Sequence, residues 1–147
     1  MRSTFRALAG LIALGVVVQA ASIAYAAFAL AHAVDDGTTI DKNSKVGDAG
    51  FAIHGINGQM VIPLLAILLF AVSSRAQVPQ GVKWAGIVLL TTAVQVGLGF
   101  ASHSLPVLGW LHGIIALALF AVAGYTARLA ALATRAAQPP PLVDSQG

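Results

Sequence analysis

The chain has 147 residues, of which 58% are hydrophobic and only 9% charged, and its mean hydropathy is +0.86. Soluble domains carry about a quarter of their residues as charges, so this composition excludes an ordinary soluble enzyme and points to an integral membrane protein. The net charge of +3 does not mark a nucleic-acid binder, because the basic residues border apolar segments and form no patch or stripe.

Three charge-free gaps, Arg6 to Asp35, Asp48 to Arg75 and Lys83 to Arg128, supply the apolar length for bilayer crossings of ~20 residues each, and the last holds two. Helices are therefore predicted near 7–31, 51–72, 84–101 and 108–127. The first apolar run exceeds the ~7 to 15 residues of a signal core and suits a spanning helix. Ala24-Tyr25-Ala26 and Ala31-His32-Ala33 leave a cleaved secretory signal as the rival reading. The polar loop from Asp35 to Gly50 is long enough to fold over one end of the bundle. In the second helix, Pro63 predicts a kink or loosening beyond His54. Trp84, Trp110 and Tyr125 suit the aromatic belts of the two interfaces. The domain spans 1–137, and residues 138–147, with Pro139, Pro140 and Pro141, are predicted to be a disordered cytoplasmic tail.

Lys42 and Lys45 aside, every basic residue falls on one side of the membrane: Arg2, Arg6, Arg75, Lys83, Arg128 and Arg135. The positive-inside rule makes that side cytoplasmic, with both termini. The expected setting is a bacterial cytoplasmic membrane, and the expected fold is an all-α four-transmembrane-helix bundle.

Two hairpins repeat. Val18-Gln19 and Val94-Gln95 occupy the odd helices, each followed by aromatic residues and a histidine. In the even helices, Phe51-Ala-Ile-His54-Gly55-Ile56 aligns with Gly109-Trp-Leu-His112-Gly113-Ile114. A two-helix repeat keeps its orientation, so the hairpins are related by an axis along the membrane normal.

All four histidines, His32, His54, His103 and His112, fall at the outward end. Imidazole ligates metals and titrates near neutrality, so their clustering suggests a heme, a metal or a proton site. His54 and His112 lie at matching depth on helices that face each other, and two such rings can ligate one heme iron from opposite sides. Gly55, Gly58 and Gly113, with Gly109, Gly97 and Gly99, would leave room for a flat macrocycle. Gly109-xxx-Gly113 reads equally as a helix-packing motif. His32 and His103, nearer water, suit heme propionates, or no ligand at all, better than iron. Gln19 and Gln95 lie deeper and call for bundle-facing hydrogen bonds. No span holds an acidic residue, which argues against a proton pump, and the chain has no cysteine for thiolate or covalent heme attachment.

At His54-Gly55 and along the run from Leu108 through His112 to Phe120, the chain resembles one four-helix half of heme A synthase, and also small four-helix membrane proteins of actinobacteria and related bacteria. The resemblance covers roughly Val16 to Arg128 and implies His54 and His112 as axial ligands of heme b. The chain departs from the family in matching one half alone and in lacking acidic residues in its spans. The leading expectation is a membrane b-type cytochrome without independent enzymatic activity, working with the lipid bilayer and with a membrane redox complex or a homodimeric partner. The alternatives are an accessory or assembly subunit of a larger complex and an outward copper or zinc site built from the four histidines. A transporter ranks last.

Overall fold

The computed structural model describes residues 1–138, so all but Gln138 of the predicted tail lies outside the described residues. Four helices are long and apolar enough to cross a membrane: α1 (Arg2–Asp35), α2 (Asp48–Ser73), α3 (Gly81–Ser104) and α4 (Leu108–Ala136). Even α3, with 24 residues, is ~36 Å long at ~1.5 Å per residue, enough for a ~30 Å hydrocarbon core. The protein is an all-α, multi-pass membrane protein, with no strand among the described residues.

Buried residues recur along each helix at spacings of four, three and four: Phe5, Ala9, Ile12, Val16 on α1; Ile62, Ala66, Leu69, Ser73 on α2; Gly81, Ala85, Val88, Thr92 on α3; Leu119, Ala123, Thr126, Ala130 on α4. That period suits a left-handed bundle in which side chains interdigitate along narrow seams. Alanine, glycine, serine and threonine fill many of these positions, which lets the backbones approach. α1 packs on α2 and α4, and α3 packs on α2 and α4, so α2 and α4 stand diagonally across the bundle.

The apolar core lies in the half away from the histidines. Phe5, Ile12, Leu69, Leu119 and Val88 are fully buried there. Arg2 closes that end, its guanidinium donating to the carbonyls of Gln77 at 3.3 Å and Ala133 at 3.5 Å. These bonds hold the first turn of α1 and the last turns of α4, both of which lie beyond their predicted borders. Charge ends a membrane span without ending a helix, and the terminal turns continue beside one another as a packed pair. Trp84 and Tyr125 meet edge to face at 4.7 Å near this end, while Trp110 at the other end is exposed.

Helix α2 is interrupted by a π-helical turn at Asn57–Val61, immediately before Pro63. The Ile62 N–H reaches back to the Asn57 carbonyl, five residues away, and so adds one residue to the turn. This is the loosening that Pro63 predicts. Its consequence is rotational. Counting back from Ile62 at the spacing of the other helices brings Gln59 and Gly55 inward, and the extra residue brings Gly58 and His54 inward instead. On α4 the regular count from Leu119 passes Ala116 and arrives at His112. The π turn thus puts the two histidines in corresponding positions.

A groove with paired histidines

The inward stripes of α1 and α3 continue from Val16 to Gln19 and from Thr92 to Gln95. Above the core, each helix therefore contributes one polar residue to a shared layer of Gln19, His54, Gln95 and His112. Within it the rings of His54 and His112 stand 6.2 Å apart between centroids and are inclined by 57°.

Each ring is held by a backbone carbonyl from the preceding helix. His54 Nδ1 donates to the Gln19 carbonyl at 3.2 Å, and His112 Nδ1 donates to the Gln95 carbonyl at 3.2 Å. A carbonyl only accepts, so the Nδ1 of each neutral ring carries the proton and Nε2 keeps its lone pair. A histidine with its second nitrogen held this way is oriented and made more basic as a metal ligand.

The part of α2 that bears His54 packs on α1, whereas the part beyond the π turn packs on both α1 and α3. The seam between α2 and α3 is therefore open at the histidine end. It forms a groove of about 680 Å³ lined by Ile23, Phe51, Val96 and Phe100, by the histidine–glutamine layer, by Gln59 and by Gly55, Gly58, Gly99, Gly109 and Gly113. That volume lies in the range of small-molecule and cofactor sites, ~300 to 1,000 Å³. Ser102 and His103 line the same groove nearer the helix ends. His103 Nδ1 donates to the Gly99 carbonyl at 3.1 Å. A narrower cavity of about 220 Å³ continues beneath the pair, bounded by Thr92, Gln95, Val16 and Leu119.

The glycines divide into two groups. A Cβ at Gly109 or Gly113 would meet nothing within 4 Å, so the packing motif suggested by their spacing is not used within this chain. Gly55 is nearly as open, with only the Gln59 side chain at 4.0 Å. Gly58 has a different job: a Cβ there would overlap the Gln19 side-chain nitrogen. Gly99 lets His112 Cε1 lie 3.4 Å from where its own Cβ would stand. Gly97 borders open space.

The structure brings His54, His112, His103, Gly55, Gly58 and Gly113 to one groove. It leaves His32 outside, on the exposed end of α1, where Nε2 approaches an Asp36 carboxylate oxygen at 3.5 Å. No three histidine or carboxylate side chains converge as a metal-binding group among the described residues. Among these residues, the loop between α1 and α2 does not line the groove. Asn57 ties the π turn to α1, donating to the Gly15 carbonyl at 2.8 Å and to Gln19 Oε1 at 3.2 Å. Gln95 also goes beyond the expected bundle hydrogen bond: its amide nitrogen is 3.3 Å from His112 Nε2 and 2.9 Å from the His112 carbonyl.

Fold and site together define a four-helix membrane protein with a paired-histidine groove at one end. No family model, curated protein or solved structure matches the chain.

Proposed function

We propose that the protein is a small b-type cytochrome that holds heme between α2 and α4, with His54 and His112 as axial ligands, for electron transfer. The observation that carries this reading is the His54–His112 separation of 6.2 Å. Two imidazoles ligating one ion from opposite sides stand about 6 Å apart, because each nitrogen lies ~2 Å from the metal. The residues present fit the group in three further respects. Both rings carry an unprotonated Nε2, that of His112 lying against the Gln95 amide, the glycine faces leave flat space beside them, and Phe51 and Phe100 supply apolar walls.

Bound heme would supply one-electron chemistry, and filling both axial positions favours electron transfer over oxygen or substrate activation. The chain's own residues orient the rings, fix the tautomers and close the buried side to water. The matching bonds from His54 to the Gln19 carbonyl and from His112 to the Gln95 carbonyl support a pair of repeated hairpins. The distribution of Lys and Arg supports cytoplasmic termini and a histidine end facing outward from a bacterial cytoplasmic membrane.

A second reading rests on the open faces of Gly109 and Gly113: a helix of a membrane partner packs there, and the protein is an accessory subunit. Titration of purified protein with hemin in mild detergent separates the two. A saturable change to a six-coordinate spectrum, lost in His54→Ala and in His112→Ala, supports the cytochrome. A folded protein that takes up no hemin and purifies with a partner supports the subunit.

A further inference from the structure

We propose that Gln95 is a removable cap on the ligating nitrogen of His112, so that His54 ligates first and His112 follows only after Gln95 swings away. The proposal rests on the heme reading above and adds an order of assembly to it.

The two glutamines of the polar layer hold equivalent positions, and their backbones do the same work for the two histidines. Their side chains do not. Gln19 is held off His54 because its Oε1 accepts from Asn57 Nδ2 at 3.2 Å while its nitrogen lies against Gly58. Asn57 stands three residues after His54, and the residue three after His112 is Ile115, which has no polar group to offer. Gln95 therefore turns to His112 itself, donating one N–H to Nε2 at 3.3 Å and the other to the backbone carbonyl at 2.9 Å. The acceptor carbonyl fixes which end of the amide is nitrogen.

This capped arrangement is incompletely satisfied. Gln95 Oε1 is buried and finds no donor among the described residues, and a buried acceptor without a donor is destabilising. Space for release lies directly below. Gln95 and Thr92 line the same cavity of about 220 Å³. The Thr92 hydroxyl donates to the Val88 carbonyl at 2.8 Å and keeps lone pairs for an incoming amide. Residues three apart on a helix share a face, which puts that hydroxyl on the same side of α3 as the Gln95 side chain. On release, the N–H···Nε2 bond would break and leave the His112 Nε2 lone pair free to ligate. No proton moves, because Nδ1 retains its own against the Gln95 carbonyl.

The test combines nitrogen-15 histidine NMR of the heme-free protein with hemin titration and stopped-flow loading, in wild type, Gln95→Leu and Thr92→Val. In Gln95→Leu the His112 Nε2 resonance is expected to move to that of a free lone pair, with His54 unchanged. Hemin should bind roughly 2- to 12-fold tighter, the net worth of one hydrogen bond. Wild type should load in two phases, five-coordinate and then six-coordinate. Gln95→Leu should merge them, and Thr92→Val should slow the second. An unmoved His112 resonance in Gln95→Leu would show that there is no cap. A moved resonance with unchanged affinity and phases would show a contact that gates nothing. If wild type takes up no hemin, the heme reading fails and the order fails with it, while the NMR still reports the Gln95–His112 bond. Should Gln95→Leu fail to fold, an unchanged second phase in Thr92→Val overturns the proposal.

Discussion

Asn57 donates to the Gly15 carbonyl at 2.8 Å across the α1–α2 seam, and this bond anchors the π turn that decides which way His54 faces. Asn57→Leu keeps the bulk and removes the donor. Hydrogen bonds between membrane helices contribute on average ~0.6 kcal/mol, with ~1.7 kcal/mol near the upper end. Unfolding in mixed detergent and SDS should show a loss in that range. The same substitution frees Gln19 Oε1, so His54 should become the less ordered of the two rings by NMR.

Removal of one residue from the π turn tests the register directly. Met60 is 66% exposed and contributes little to packing. Its deletion should remove the extra residue and restore a regular helix, in which His54 stands seven residues before Ile62 and keeps the inward face, as His112 does before Leu119. Helicity and thermal stability should change little, and six-coordinate heme should be kept. Loss of six-coordinate heme from a folded deletion variant would show that the π turn does more than accommodate one extra residue.

The two groups of glycines predict opposite phenotypes. Gly113→Leu places its side chain in the groove, where the backbone leaves open space. Stability should stay within ~0.5 kcal/mol of wild type, while hemin affinity should fall at least ~10-fold, equivalent to ~1.4 kcal/mol. Gly50→Ala should do the reverse. Its Cβ would overlap the Ser22 carbonyl and stand 2.9 Å from the Ala26 Cβ. Overpacking there should destabilise the α1–α2 contact by ~1 to 3 kcal/mol, read by thermal unfolding of the heme-free protein.

The chain contains no cysteine, so single introduced thiols report topology without background. Ser104 and Ser74 are both exposed, at opposite ends of the bundle. In intact cells, a membrane-impermeant maleimide should label Ser104→Cys and leave Ser74→Cys unlabelled until the membrane is broken. The opposite pattern would invert the proposed orientation.

The spans were legible because membrane helices are written in the absence of charge, and the gaps ending at Asp35, Arg75 and Arg128 mark them. The helix ends were less so. Arg2 and Arg135 lie within helices that continue past the apolar border, which hydropathy does not register. His54 and His112 were visible as a pair from their shared His-Gly setting and depth. The π turn was not, because an extra residue in a helical turn changes backbone bonding without changing hydrophobicity. Its trace was the spacing of His54, Gly58 and Ile62 by four and four, where the other helices alternate four and three, together with Pro63 just beyond. The Gln95 cap was equally hidden, since equivalent glutamines suggest equivalent bonds until Asn57 is compared with Ile115.

Ligation of one iron by both His54 and His112 is read out by low-temperature EPR of the ferric protein, wild type beside His54→Ala and His112→Ala at equal heme loading. Wild type should give a low-spin bis-imidazole signal that becomes high-spin in each variant. A wild-type signal that is high-spin, or a low-spin signal that survives either substitution, would contradict it.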